Sequence, residues 1–302
     1  MAADGDPPPR SPARQLAIHA ALFVATCATT WLAGGPAFAA TLMSILVCHE
    51  MGHYVAARRY GLDVSLPYFI PLPPMISLGT LGAVIRMRAP ISDRNQLLVV
   101  GAAGPLAGLV IAIPALIIGL ELSELGPIPL DGALEGNSLF YGLTKLALFG
   151  RWLPSGDVDV NLHPIAFAAW VGLLVTMINL IPIGQLDGGH VMRAWLDARH
   201  ERISALLHRG LLAVALVGGG VLFTLARDAG MGPRAALGYA ALAVMPWLVW
   251  ALALTGMRSL SGGEYHPPVV GPPLDRAHRR LAIAMVIVFV VLFVPIPMRA
   301  PL

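Results

Sequence analysis

Charged residues are scarce in this 302-residue chain. Asp, Glu, Lys and Arg make up 12% of the sequence, while hydrophobic residues make up 57%. Soluble domains contain about twice that share of charge. The basic residues are nearly all arginines, with Lys145 as the only lysine, and no basic run is interleaved with aromatic residues. We therefore expect a protein of the lipid bilayer and no nucleic-acid partner.

Cysteine is also scarce, which excludes a disulfide framework. Cys27 and Cys48 both lie in apolar segments, where we expect them to act as small buried hydrophobic residues. Cys48 precedes a histidine, but neighbouring helix positions point about 100° apart, so we do not predict it to share a ligand site.

Long apolar stretches are what the chain does contain. A transmembrane helix needs about 20 such residues. Candidate spans cover residues 16–32, 37–60, 97–120, 164–196, 205–225, 235–254 and 281–294. We predict an all-α polytopic membrane protein with six to seven transmembrane helices, the first a retained helix rather than a signal peptide. The fourth span contains Pro182 and Gly188, so we expect that helix to be broken.

Arginine positions predict the orientation. Fifteen of the 20 Lys and Arg residues fall on one side if the N-terminus is cytoplasmic, as the positive-inside rule favours. We then expect a disordered cytoplasmic N-terminus at 1–14, a core at 15–260, a flexible cytoplasmic loop at 261–280 and a C-terminal transmembrane helix at 281–302.

The segment 62–88 is apolar but rich in proline and glycine, so it cannot form a long helix. Its part "ISLGTLGAVIR", residues 76–86, has the β-branched and glycine content of a strand or short hairpin. Such backbone at membrane depth must be covered by protein or line a wet cavity. We predict a small membrane-associated β-hairpin here.

The stretch "SILVCHEMGHYVAARR" places three ionisable groups inside a predicted membrane helix. His49 and His53 stand one helical turn apart, and Glu50 lies on the flank nearest His53. Buried ionisable groups are costly in a bilayer, and a divalent metal would satisfy all three. Two histidine ligands with a glutamate base form the H-E-x-x-H pattern of zinc peptidases. A purely structural, hydrogen-bonded role for the histidines is the alternative.

A catalytic zinc needs three protein ligands and an open position. Asp187 is the best third candidate, because it lies about 9 Å from the cytoplasmic end of its segment and His49 lies about 14 Å from its own. His190 is an alternative ligand or a partner of one. Asn179 could donate a hydrogen bond to a substrate or an oxyanion.

Two motifs together resemble the site-2 protease family of intramembrane zinc metalloproteases. They are "HEMGH" at 49–53 and "NLIPIGQLDGG" at 179–189, with Asn179, Pro182, Asp187 and Gly188 in the family's register. The segments "PYFIPLPPMISLGTLGAVIRMR" and "GAAGPLAG" are similar to the plastid and bacterial branch. The resemblance implies Zn²⁺ bound by His49, His53 and Asp187, with Glu50 as general base.

The resemblance also implies that a transmembrane protein is the substrate, cut in or near its membrane segment. We expect a multi-pass protein of the bacterial inner membrane, with the active site nearer the cytoplasmic face. We expect neither a PDZ domain between the motifs nor C-terminal CBS domains. The sequence does not specify an oligomeric state.

Two other classes of function stay open: a non-proteolytic metal-binding membrane scaffold or chaperone, and an ion transporter. A structural metal site needs four ligands and no base, so Glu50 argues against a scaffold. Transporters commonly contain internal repeats, and the sequence has no convincing one.

Overall fold

The computed structural model of the chain describes residues 12–75, 77–87, 91, 93–128 and 133–302. Most of these residues are helical, as predicted. The helices are α1 (Pro12–Arg59), α2 (Arg94–Glu121), α3 (Leu139–Phe149), α4 (Pro164–Asn179), α5 (Asp187–Leu196), α6 (Arg199–Asp228), α7 (Pro233–Leu260) and α8 (Arg276–Leu292). The strands are β1 (Tyr68–Pro71), β2 (Thr80–Val84), β3 (Glu124–Pro127), β4 (Leu134–Glu135), β5 (Val158–Asn161) and β6 (Met298–Arg299).

Helix α1 reverses direction at Gly35, which has a φ of 82°. A straight helix would put His19 about 60 Å from Arg59. The chain from Arg59 to Pro67 reaches at most about 29 Å. Yet His19 Nδ1 lies 3.0 Å from the carbonyl oxygen of Pro67. The two arms of α1 on either side of Gly35 must therefore run back along each other, as the first two predicted spans require.

Four helices among the described residues are long and apolar enough to cross a membrane: α1, counted once, and α2, α6 and α7. Helices α3 and α4 are apolar but shorter, and α8 has 17 residues. The membrane-spanning character is thus borne out by length and composition, whereas the count of six to seven spans is not confirmed.

The fourth predicted span is broken, as expected. Helix α4 ends at Asn179 and α5 begins at Asp187. Between them Gly184 has a φ of 65°, a conformation that favours glycine. A side chain at Gly188 would begin 2.0 Å from the carbonyl oxygen of Leu180, and one at Gly189 would begin 2.2 Å from that of Gly184. Glycine is therefore required where α5 folds onto the connecting loop.

The predicted hairpin lies within segment 62–88. Strands β1 and β2 pair antiparallel, with Tyr68 opposite Val84 and an irregularity between Phe69 and Pro71. The hairpin packs on the first arm of α1, where Thr29 Oγ1 donates to the carbonyl oxygen of Gly79 over 2.6 Å. Ile76, at the start of the predicted strand, lies outside the described residues.

Two further antiparallel pairs, β3–β5 and β4–β6, were not predicted. Both involve the segment that follows α2, and the second joins it to the last residues of the chain. The predicted disordered N-terminus falls mostly on residues 1–11, outside the described residues, whereas residues 12–14 begin α1.

The core lies where the second arm of α1, α2 and α4 pack together. Its largest fully buried side chains include Phe38, Leu42, Leu116, Trp170 and Met177. These helices carry or support every predicted site residue except those on α5, which packs against α2.

Candidate metal centre

Three predicted ligands from two distant helices meet at one point. His49 Nε2 lies 3.1 Å from Asp187 Oδ2, and His53 Nε2 lies 3.2 Å from the same oxygen. The two Nε2 atoms are 3.2 Å apart. Both histidines are buried and Asp187 is nearly so. The structure therefore brings the histidine pair of α1 to the first residue of α5.

The triangle fits a zinc ion. Zinc takes nitrogen and carboxylate ligands at about 2.0–2.2 Å, and two ligands of a tetrahedron at that distance are about 3.3 Å apart. Among the described residues, His49, His53 and Asp187 are the one group of three or more His, Cys, Asp or Glu side chains close enough to hold an ion. Three ligands leave the fourth position for water, as in catalytic zinc sites.

A hydrogen bond fixes the tautomer of His53. Its Nδ1 lies 2.8 Å from the carbonyl oxygen of Val100. A carbonyl can only accept, so Nδ1 carries the hydrogen and the neutral ring keeps a lone pair on Nε2. That lone pair faces the carboxylate of Asp187, and a metal ion bound between them would be a ligand partner for both. The donor set is therefore arranged as a metal site, with a backbone group orienting one ligand.

Glycines of α2 let that helix approach the site. Gly101, Gly104 and Gly108 follow one helix face at spacings of three and four residues. A Cβ at Gly104 would lie 2.1 Å from His53 Nε2, and one at Gly108 would lie 3.3 Å from His49 Cβ. At Gly101 it would lie 3.3 Å from the backbone oxygen of Asp187. The motif "GAAGPLAG" thus lines all three candidate ligands.

Asp187 occupies the first turn of α5. The unpaired backbone N–H groups at a helix N-terminus favour a negative charge there. This placement stabilises the carboxylate as an anion at the metal position.

Glu50 is buried beside the triangle, with 5% of its surface exposed. It interacts electrostatically with His53 and Asp187, but it does not belong to the group of three that could hold the ion. No hydrogen bond or ion pair engages its carboxylate among the described residues. A carboxylate near the metal position with no partner of its own can accept a proton from water.

Asn179 ends α4 with its amide Nδ2 3.4 Å from His49 Nε2. Because its side chain reaches the edge of the triangle formed by the three candidate ligands, its amide can donate a hydrogen bond to a group bound there. Its position follows from the break between α4 and α5, which turns the chain beside the site.

His190, the alternative ligand, points elsewhere. Its Nδ1 lies 2.8 Å from His266 Nε2. His266 Nδ1 lies 2.8 Å from the carbonyl oxygen of Pro267 and must donate to it, so His266 Nε2 accepts and His190 Nδ1 donates. His266 is buried, and desolvation lowers its pKa to about 4. The pair therefore links α5 to the segment after α7 as two neutral rings.

Comparison with known proteins decides the family. The model of peptidase family M50 matches residues 37–219, which include α1 from its second arm through most of α6. The chain belongs to peptidase family M50, the site-2 proteases. The resemblance seen in the two motifs is thereby confirmed.

Curated relatives of the chain are named as zinc metalloproteases. The chain is 36% identical over 184 residues to "Probable zinc metalloprotease EGY2, chloroplastic" of Oryza sativa subsp. indica, covering 60% of this chain and 32% of that protein. It is 33% identical over 156 residues to EGY1 of Arabidopsis thaliana, covering 50% and 28%. It is 28% identical over 253 residues to EGY3 of Oryza sativa subsp. indica, covering 77% and 37%. The matched segments span about a third of these relatives.

These relatives are named as zinc metalloproteases, so zinc is the cofactor implied for the His-His-Asp group. They are chloroplast proteins, so they give no support to a bacterial inner membrane as the location. What they share with the prediction is the zinc metalloprotease class.

Sequence reasoning missed two supports of the site. The hydrogen bond from His53 to Val100 involves a backbone oxygen, which leaves no signature in residue types. The contact between His190 and His266 joins residues 76 apart. A signal was available for the glycines of α2, whose spacing marks a helix face that admits close neighbours.

Proposed function

We propose that this chain is an intramembrane zinc metalloprotease that hydrolyses peptide bonds in or near transmembrane segments of membrane proteins. The observation that carries the proposal is the meeting of His49 and His53 with Asp187 across two helices, beside an unpartnered glutamate. A structural metal site would need neither the open fourth position nor the base.

His49, His53 and Asp187 would hold the zinc, which when bound supplies a Lewis acid that acidifies water and polarises a carbonyl oxygen. Glu50 would accept the proton of the attacking water and later deliver it to the leaving nitrogen. Asn179 would donate an amide hydrogen to the scissile carbonyl oxygen as its negative charge develops. The carbonyl oxygen of Val100 would keep the imidazole of His53 oriented throughout.

A transmembrane helix hides its carbonyl groups, so a substrate has to be extended near the cut. Strand β2 pairs with β1 on one side only among the described residues, and Leu81 and Val84 are exposed on it. We infer that β2 binds an extended substrate segment by strand addition.

The arginine distribution supports an active site nearer the cytoplasmic face of the membrane.

The test compares the wild type with Glu50→Gln and with the control Glu124→Gln, an exposed residue of β3 remote in sequence from both motifs. Membranes of cells producing each form are searched by mass spectrometry for fragments that end within transmembrane segments. Candidate substrates are then cleaved with purified enzyme.

We expect Glu50→Gln to keep about one zinc per chain and to lose cleavage by at least about 100-fold. The Glu124→Gln control should cleave like the wild type. Turnover of Glu50→Gln at the wild-type rate would refute the assigned base, and the absence of any fragment from the zinc-loaded wild type would count against proteolysis itself.

A further inference from the structure

Helix α5 carries Asp187 but has only 10 residues, a length of about 15 Å. It runs antiparallel to α2. A Cβ at Gly101 would lie 2.9 Å from His190 Cβ, and farther along both helices Arg94 forms an ion pair with Asp197, the residue after α5. Gly101 has no side chain that could interlock with α5. The close contact there brings the two helices together without fixing their register.

The ion pair supplies that register. Arg94 lies seven residues before Gly101, and Asp197 lies seven residues after His190, so both helices advance about 10 Å from the close contact to the pair. A slide of α5 by one residue would move Asp187 by about 1.5 Å. A metal site tolerates ligand shifts of about 0.2 Å. Holding Asp197 against Arg94 therefore holds Asp187 at the two histidines.

Arg94 is built into the protein rather than lying on its surface, with 9% of its surface exposed. It is also the first residue of α2. A cation is unfavourable in the first turn of a helix, because the unpaired N–H groups there carry positive partial charge. The carboxylate of Asp197 offsets this cost. Without it, a buried cation would lose its counter-ion.

Arg193 holds the other half of the pair. Its Nη1 donates to the carbonyl oxygen of Asp197 over 3.1 Å, and its Nη2 lies 4.0 Å from Asp197 Oδ1. The backbone N–H of Asp197 donates to the carbonyl oxygen of Arg193 over 2.9 Å. Asp197 has a φ of 53°, which residues other than glycine rarely adopt. The chain thus accepts a disfavoured backbone conformation where the aspartate meets Arg94.

We propose that Arg94 and Asp197 are positioning residues of the metal centre, with Arg193 holding Asp197 in place. Their ion pair fixes α5 against α2, the helix that also orients His53 through Val100. One helix thereby sets the relative position of ligands from two others. The inference rests on the proposed function because it requires the metal site, but it concerns the geometry of that site and not cleavage.

The test uses the full chain in detergent with cobalt(II) in place of zinc, because the visible absorption bands of cobalt(II) report the geometry of its ligands. Arg94→Gln, Asp197→Asn and the double variant are compared with the wild type. The control is Glu135→Gln, which breaks the buried ion pair with Lys145 beyond the far end of α2. Cobalt affinity, absorption bands and thermal midpoint are measured for each form.

We expect each single variant to lower cobalt affinity about tenfold, within the range seen when groups that orient ligands are changed, and to shift the absorption bands. The double variant should lose no more than either single variant, because both changes remove the same pair. Glu135→Gln should lower the thermal midpoint but keep the affinity and the bands of the wild type.

Wild-type affinity and bands in the folded single variants would overturn the proposal. Equal losses in Glu135→Gln would reduce the effect to general destabilisation, and losses that add in the double variant would show that the two residues act separately. If Arg94→Gln does not fold, Asp197→Asn decides, because the Asp197 side chain is 43% exposed. A folded wild type that binds neither zinc nor cobalt would instead refute the metal site, and with it the proposed function.

Discussion

Replacing Gly104 by alanine would place a methyl group against the metal-binding edge of His53. The new Cβ would lie 2.1 Å from His53 Nε2 and 2.4 Å from Cδ2. Ordinary van der Waals contact begins near 3.4 Å, so the ring or the helix has to move by about 1.3 Å. A zinc site tolerates ligand shifts of about 0.2 Å.

Neither partner can move freely. The ring of His53 is held through its bond to Val100. Helix α2 is in close contact with α1 at a second point, since a Cβ at Gly52 would lie 2.4 Å from the carbonyl oxygen of Ala103. Displacing His53 therefore removes a ligand, and we expect zinc affinity to fall by at least about 100-fold, the upper end of losses seen when ligand-orienting groups are changed.

The assay is zinc affinity of the purified chain by competition with a chromogenic chelator, beside circular dichroism. Gly210→Ala is the matched control, because a Cβ at Gly210 in α6 meets nothing within 4 Å. Both changes raise helix propensity by a similar amount, about 1 kcal/mol. Wild-type zinc affinity in a folded Gly104→Ala variant would refute the placement of α2 against the site.

Two further predictions concern groups outside the metal centre. Lys145 Nζ is fully buried, 3.5 Å from both Glu135 Oε1 and Asp159 Oδ1. Lys145→Met should leave both buried carboxylates without a cationic partner and lower the free energy of unfolding by about 3–5 kcal/mol. A thermal midpoint in detergent within about 2 °C of the wild type would contradict this. Because burial lowers the pKa of His266 to about 4, the packed segment resists protonation while the opened one accepts a proton below about 6.5. The packing of His266 on His190 should weaken as the pH falls from about 6.5 to about 4. The measurement is the hydrogen-exchange protection factor of residues 264–270, corrected for the intrinsic exchange rate at each pH, which should fall; an unchanged protection factor would refute the buried neutral pair.

Local features of the sequence predicted the local structure well. Pro182 indicated the broken span, because proline does not continue a helix. Gly188 and Gly189 lie within α5 itself, where they permit its close packing on the connecting loop. The helical repeat placed His49 and His53 on one side of α1, and their Nε2 atoms lie 3.2 Å apart. Such inferences need only the geometry of one helix.

Relations between distant segments were harder to predict. Strand β4 pairs with β6 across more than half of the chain, and two-residue strands carry no recognisable pattern. The count of six to seven spans was not confirmed. Helix α1 reverses direction and is counted as one long helix, and α4 is apolar but shorter than an ordinary span, so apolar length alone does not fix the number. The approach of Asp187 to the histidines was inferred from depth and from the family resemblance, not from periodicity.

The central claim is that two distant motifs form one three-ligand zinc site in which Glu50 is not a ligand. Zinc content of the purified chain tests it most directly, with wild type, Asp187→Ala and Glu50→Gln measured side by side by atomic emission. The account predicts about one zinc per chain in the wild type and in Glu50→Gln, and loss of zinc in Asp187→Ala. Full zinc content in a folded Asp187→Ala variant would contradict it, and would make His190 the next ligand to test.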